Sequence, residues 1–275
     1  EHEAYLQYYF PEIKRGLFLP LAGTSLWEDD TLPKWEERPY DVVFTGNYTP
    51  LSKFEPTIER HGKEYADFYY GIIEDFKKHP HLGMDIGIRE HLLSEVEDIT
   101  EDGVKEMMPN MIDLYVRNYF RGKVVQTLVD AGVSVHCFGA GWEFLPCEHP
   151  ENLIKEGGVD SLACLQALSK AKVSLNVMPW FKDGAHDRVF NSMLNGAVCF
   201  TDWSRYLTEN LRDGEDIFFY ELDALECLPD MVQGILENRK KWEHMQKAAY
   251  ETAEKSHTWE HRAGAVHKEI LSKIR

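Results

Sequence analysis

VSLNVMPWFKDGAHDRVFNSMLNGAVCFT, residues 173–201, is the stretch that decides the fold. Residues 173–177 are a short run rich in β-branched and aliphatic side chains, which reads as a buried strand. A loop carrying Pro179 and Gly184 follows. Val189, Phe190, Met193 and Leu194 then recur at helical spacing over 187–195, Gly196 stops the helix, and 197–201 is a second apolar run. Strand, helix and strand at such short intervals make a βαβ unit, and strands this apolar need cover on both faces.

The same rhythm extends in both directions. Residues 133–138 read as a strand running into Gly139-Ala140-Gly141-Trp142, and 41–45 as a strand that stops at the turn Gly46-Asn47. Helices are expected over 161–170, 204–211, 225–237, 239–255 and 259–273, with a short strand at 216–220. Ile58, Tyr65, Phe68, Tyr69, Ile72, Ile73 and Phe76 fall three, four and seven apart, so about 57–131 reads as a helical insertion whose last helix covers 109–131. The expected fold class is α/β, a Rossmann-like parallel sheet. Residues 1–38 do not close a domain and read as a linker or the tail of something upstream. The main domain spans 39–258, and a C-terminal helix fills 259–275. No internal repeat or low-complexity segment is present.

Composition narrows the function. The chain has 275 residues, 43% of them hydrophobic, enough for a substantial core, and its apolar runs fall far short of a membrane span. A formal charge of -17 repels polyanions, which argues against nucleic acid as a partner and requires a locally basic pocket for any anionic ligand. Five cysteines without a C-x-x-C pair fit reduced thiols, and with no basic-then-apolar leader at the start the expected location is cytoplasmic. The acidic run 95–106 reads as a solvated face.

In open α/β sheets ligands bind beyond the carboxyl ends of the strands, which here means the loops at 46–50, 139–147, 178–188 and 201–205. The third is the richest. It leaves a buried strand, enters a helix, and presents Lys182, His186 and Arg188 around a helix N-terminus, whose free N–H groups and positive dipole end suit a diphosphate. The plain alternative is an ordinary capped helix with Asp187 in its first turn.

Asp183 and Asn191 stand eight apart across this loop and helix, with Gly196 five beyond Asn191. The segment resembles the E-x(7)-E region of retaining GT-B glycosyltransferases, with Asp183 and Asn191 where those enzymes carry glutamates. Residues 186–197, HDRVFNSMLNGA, are more closely similar to the "hDRvFnamlnGa" block of the CgeB-like, spore-maturation-type branch. Residues 138–143, 41–47 and 256–263 resemble further segments of that branch, and Tyr9-Phe10-Pro11 and Phe18-Leu19-Pro20 resemble its stretch joining the N-terminal domain to the donor-binding half.

The resemblance implies a GT-B C-terminal domain with a helix that crosses toward a partner domain, and a nucleoside-diphospho-sugar donor, a UDP-sugar first. It places the donor diphosphate on His186, Arg188, Lys182, Gly46 and Asn47, and the nucleoside and ribose on Asp183, Asn191, Gly139, Gly141 and Trp142. It implies a hexosyltransferase-type, metal-independent enzyme whose acceptor site belongs largely to an N-terminal acceptor domain. No catalytic base is assigned, and the acceptor is unknown. Asn191 can hydrogen-bond a ribose hydroxyl but carries no charge, which keeps open a non-catalytic nucleotide- or partner-binding module. Trp142 reads equally as a core residue, and Gly46-Asn47 as a simple turn. A flavodoxin-like or response-regulator-like module would show flavin loops or a phosphoacceptor acid, and neither pattern is present. No cofactor or metal is expected: His257 and His261 lack a third ligand, Cys147 and His149 lack partners, and neither G-x-S-x-G nor G-x(4)-G-K-[ST] occurs.

Overall fold

Strands that are apolar at consecutive positions must be covered on both sides, and alternate side chains of β1 divide between two helical layers. The computed structural model describes residues 2–13, 16–27, 31–95, 110–179 and 182–274. The strands are β1 (Tyr40–Thr45), β2 (Val135–Phe138), β3 (Leu153–Gly157), β4 (Ala171–Asn176), β5 (Val198–Asp202) and β6 (Phe218–Tyr220). They form one parallel sheet in the order β3-β2-β1-β4-β5-β6. Strand order reverses between β1 and β4, which opens a crevice at their carboxyl ends.

The described helices are α1 (His2–Tyr9), α2 (Glu55–Glu59), α3 (Lys63–Lys78), α4 (Met84–Glu95), α5 (Asn110–Asp130), α6 (Ser161–Ser169), α7 (Asp187–Leu194), α8 (Arg205–Asn210), α9 (Leu228–Leu236), α10 (Arg239–Ser256) and α11 (Trp259–Ile274). Val42 and Phe44 of β1 point into a layer built from α3, α5 and α9. Val43, one residue between them, packs on Ala167 and Leu168 of α6, while Val189, Phe190 and Met193 of α7 cluster with Cys199 of β5 and Ala253 of α10.

Residue Gly196 ends α7 at φ +75, where the N–H groups of Gly196 and Ala197 return to Met193 O (3.1 Å) and Ser192 O (3.0 Å). A Cβ there would lie 2.4 Å from Nη2 of Arg38. That arginine is buried, donates to Leu168 O, Ala171 O and Asn195 O, and lies 5.2 Å from the Trp242 ring. Burial lowers its pKa to about 9, and it fastens the carboxyl ends of α6 and α7 to the sheet, where the helix dipoles favour a cation.

The expected strands and helices lie within a few residues of those observed, with two differences. The strand β3 was not anticipated. Only Leu153 of its residues is buried, and Lys155, Glu156 and Gly157 face solvent, the polar dressing of an edge strand that hides its period. The strand expected at 216–220 starts at Phe218, because the buried carboxylate of Asp216 accepts from Arg212 N (3.0 Å) and Thr252 Oγ1 (3.1 Å) and holds the chain in a turn. Of the acidic run 95–106, residues 96–106 lie outside the described residues, as do Trp180 and Phe181. No described helix is long and apolar enough to cross a membrane.

Residues 20–27 form a strap across α7. Thr24 N donates to Asn191 Oδ1 (2.8 Å), Leu26 N to Asn195 Oδ1 (3.0 Å), and Asn195 Nδ2 to Thr24 O (2.8 Å). A Cβ on Gly23 would lie 2.6 Å from the Phe190 backbone, so the strap lies directly on the helix.

Candidate functional site

The crevice between β1 and β4 is centred on Arg188, the second residue of α7. Its Nε donates to Thr45 O (2.7 Å) and Thr45 Oγ1 (3.2 Å), its Nη1 donates to Asn176 Oδ1 (2.8 Å), and its plane lies 5.0 Å from the Phe44 ring. Nη2 has no acceptor among the described residues, and it faces Gly46, where a Cβ would stand 3.1 Å away. The guanidinium is buried and its hydrogen-bond partners are all neutral. Burial lowers its pKa, although a guanidinium stays charged at neutral pH. A desolvated cation held by neutral acceptors is costly unless an anion completes it.

Behind Arg188 runs a buried polar chain. Asn176 Nδ2 donates to Thr201 Oγ1 (2.8 Å), and Tyr220 OH donates to Asn176 O (2.6 Å). Thr201 fixes the Asn176 side-chain amide so that its oxygen faces Arg188, and Tyr220 holds the Asn176 backbone.

Within reach of the Arg188 charge lies a second arginine, one outside every motif of the sequence. Arg121 of α5 donates through Nη1 to Asn47 O (3.1 Å), while its buried Nε has no partner. Burial, then the nearby Arg188 and Arg117 cations, lower its pKa to about 9, still charged at pH 7. Arg121 thus stands between two cations, Arg188 and an Arg117 that is paired with Asp113, in a chain with formal charge -17. The sequence carried a signal in Arg117 and Arg121, one helical turn apart, but nothing in it placed α5 beside the carboxyl end of β1.

The α7 N-terminus completes the site. His186 is its N-cap, with Nδ1 3.1 Å from Arg188 N and 2.7 Å from Asp187 Oδ1. One nitrogen cannot accept from the first and donate to the second, so these contacts belong to alternative tautomers. Burial and the Arg188 and Arg121 cations lower the His186 pKa, which keeps the ring neutral at pH 7. The hydrogen bond to His186 lowers the pKa of Asp187 despite burial.

A cavity of about 280 Å³ opens here, between the first turns of α6 and α7, lined by Thr24, Thr45, Ser161, Cys164, His186, Asp187, Arg188 and Asn191 among others. His186 also borders a second, mainly apolar groove of about 530 Å³, lined by Leu6, Ile13, Leu17, Phe18 and Met178 among others.

The structure brings some of the expected site residues together and engages others elsewhere. His186, Arg188 and Asn191 share the smaller cavity with Asp187; Gly46 approaches Arg188 and Asn47 O accepts from Arg121, but neither lines that cavity. Lys182 is buried in an ion pair with Asp202 (2.6 Å) and also donates to Trp203 O (3.1 Å), so its charge is already matched. Asp183 pairs with Arg205 (3.0 Å). Asn191 Oδ1 accepts from the strap at Thr24, and its Nδ2 lies 3.4 Å from Asp187 Oδ2.

Gly139 and Gly141 act through close approach of two loops. A Cβ on Gly139 would lie 2.1 Å from Gly46 O, and on Gly141, at φ +91, 1.9 Å from Tyr48 O. Gly46 N donates to Phe138 O, Tyr48 N to Ala140 O, and Ala140 N to Asn47 Oδ1. The indole of Trp142 is wholly buried, stacks on Tyr48 and donates to Gly46 O (2.8 Å), so it props the loop from the core and offers no ring face to a ligand.

Sequence and structure comparisons bear on the fold and the family. No curated protein matches the chain. Among solved structures, a GtfA/B complex matches over 98% of this chain and 42% of its own at 11% identity, with a TM-score of 0.50. The sucrose-phosphate synthase of Thermosynechococcus elongatus matches over 99% and 57%, also at 11% identity and a TM-score of 0.50. TarM is similar over 56% of this chain, at 14% identity and a TM-score of 0.44. The chain thus spans about half the length of the first two proteins and 32% of TarM. The shared fold is the Rossmann-like α/β arrangement of GT-B glycosyltransferases. The sequence profile of the glycosyl transferase-like family matches residues 121–268, more than half of the chain and the portion that contains α7 with Arg188, and the protein therefore belongs to that family.

Proposed function

We propose that the protein binds a nucleoside-diphospho-sugar in the crevice between β1 and β4 and is the donor half of a glycosyltransferase. The observation that carries this reading is the buried Arg188 at the N-terminus of α7, whose hydrogen-bond partners are all neutral and whose nearest carboxylate is the neighbouring Asp187, with Arg121 close enough to feel its charge. A diphosphate placed there meets Nη2 of Arg188, the Arg121 guanidinium and the backbone N–H groups of the first turn of α7. The nucleoside extends into the cavity lined by Ser161, Cys164 and Asn191, and the sugar turns toward His186 and the apolar groove beyond it. A UDP-sugar is the donor class we place first.

As the bond between the anomeric carbon and the diphosphate oxygen breaks, negative charge grows on the leaving phosphate. Two preorganised guanidiniums and a helix N-terminus stabilise that charge more than they stabilise the intact donor. In this reading the positive charge for the step comes from the protein, which makes the transfer metal-independent. Residues 39–258 are the donor unit, with about 57–131 its helical insertion, and residues 1–38 and 259–275 connect it to an acceptor domain of the kind that occupies the rest of a two-domain enzyme.

One observation favours a second reading, a non-catalytic nucleotide-binding module: Asn191 replaces a carboxylate, and its oxygen is already taken by Thr24 N. Calorimetric titration with UDP, GDP, ADP and dTDP tests the shared premise. Binding of one of them, lost in Arg188→Ala, supports the site; binding that Arg188→Ala leaves unchanged removes it. Release of UDP from a UDP-sugar by this chain joined to an acceptor domain then excludes the non-catalytic alternative.

A further inference from the structure

A second cluster with ligand chemistry lies two strands away from β4, at the carboxyl end of β6. His81, in the turn between α3 and α4, directs Nε2 at two carboxylates, Glu221 Oε2 at 3.4 Å and Asp223 Oδ2 at 3.7 Å. All three ligand atoms lie within 4.8 Å of one another, and no other such cluster occurs among the described residues. We propose that His81, Glu221 and Asp223 form a site for a divalent transition metal of the zinc class, which staples the helical insertion to the edge of the sheet.

Separation is the first argument. Both distances exceed the 2.7–3.2 Å of an N–H···O hydrogen bond, so the imidazole is not simply bonded to either acid. Tetrahedral zinc with bonds of about 2.0–2.1 Å holds neighbouring ligand atoms roughly 3.3 Å apart, close to the spacing of Nε2 from the two oxygens. Small rotations of exposed side chains close the third edge of the triangle.

Preorganisation is the second. The His81 ring stacks on Trp203, which directly follows β5, with centroids 5.2 Å apart and planes 27° apart. The turn in which Ala224 N donates to Glu221 O (3.2 Å) places Glu221 and Asp223 on one side of the chain as it leaves β6.

The ligand set is the third. One imidazole and two carboxylates leave a fourth position for water, an N/O set that suits zinc and its neighbours, whereas calcium and magnesium require six or more oxygens. Two carboxylates neutralise the dication, and the acidic protein favours its approach. The site is a tether: it joins the α3–α4 turn to the loop after β6 through ligands that lie outside the donor crevice. Its inference therefore stands apart from the nucleotide reading.

The test is zinc titration of chelator-treated full chain by calorimetry, with thermal unfolding measured alongside. One equivalent is expected to bind and to raise the unfolding temperature, while magnesium and calcium at the same concentration do neither. His81→Gln and the double variant Glu221→Gln/Asp223→Asn are each expected to weaken zinc binding at least tenfold, and nucleotide binding is expected to stay unchanged in both. All three residues are exposed, so the variants fold. Absence of saturable binding at millimolar zinc overturns the proposal. So does equal affinity in wild type and either variant, which marks adventitious binding at other histidines.

Discussion

Replacing Arg188 by Met removes the guanidinium while filling most of its volume, and the structure fixes what should follow. Two close acceptors, Thr45 O and Asn176 Oδ1, lose their donor. Each unmet buried acceptor costs about 1–3 kcal/mol. Against this, the variant no longer buries a cation whose hydrogen-bond partners are all neutral, a desolvation penalty of several kcal/mol. These terms are of similar size and opposite sign, so stability should change by less than about 2 kcal/mol, or roughly 5 °C for a chain of this length. Nothing compensates the lost contact to a bound diphosphate. A charge-assisted hydrogen bond contributes about 1.5–3 kcal/mol, which is a loss of roughly ten- to 150-fold in nucleotide affinity. Calorimetric titration and thermal unfolding on the same samples read both quantities, and Arg188→Lys, which keeps the charge but not the fork, should fall between wild type and Arg188→Met in affinity. A folded Arg188→Met protein that binds nucleotide as tightly as wild type refutes the reasoning.

Three further outcomes are expected. Arg121→Gln should weaken nucleotide binding about tenfold while leaving stability unchanged or slightly raised, because the substitution removes a buried Nε that has no partner; equal nucleotide affinity would take Arg121 out of the site. Gly141→Ala should destabilise the fold by at least about 2 kcal/mol, since the new Cβ meets Tyr48 O at 1.9 Å and φ is +91; an unchanged unfolding temperature would show that the two loops yield easily. His257 is buried against Phe190 and its pKa is lowered to about 4, first by burial and then by Arg262, below its unfolded value of about 6.5. Its neutral form is therefore the folded one. Stability should be full above pH 6.5 and fall as pH drops from about 6.5 toward 4, by at most about 3 kcal/mol and by roughly half that once partial solvation of the ring is allowed for. Denaturant titrations of wild type and His257→Gln across that range check it, and parallel pH dependences would contradict it.

Most of the sheet was readable because buried strands and amphipathic helices write their periods plainly, as residues 173–201 do. The strand β3 was not, because an edge strand carrying Lys155 and Glu156 has neither an apolar run nor a clean alternation. Within the site, Arg188 was legible from its place just inside a helix that follows a buried strand. Two polar residues inside otherwise apolar strands, Asn176 and Thr201, are a usable signal; a buried polar side chain in a strand needs a partner, and here the chain of partners leads to Arg188. Arg121 was out of reach, since its approach to Arg188 depends on how α5 packs along the sheet. Lys182 and Trp142 show the opposite limit. Each sits in a motif that suggests a ligand, yet Asp202 neutralises the first and the core absorbs the second. Residue type and spacing named the loop, whereas only tertiary contacts separate the groups left open from those already engaged.

Cys164 offers the most direct test of where the nucleotide binds, because it lines the cavity beside Arg188, whereas Cys227 is exposed immediately before α9 and does not line it. The measurement is the rate of thiol alkylation at each cysteine, followed by peptide mass spectrometry, with and without saturating UDP, GDP, ADP or dTDP. The account predicts that at least one nucleotide slows alkylation of Cys164 severalfold in wild type, leaves Cys227 unaffected, and loses this protection in Arg188→Met. Equal rates at Cys164 with and without every one of the four nucleotides would contradict a nucleotide site in the crevice between β1 and β4.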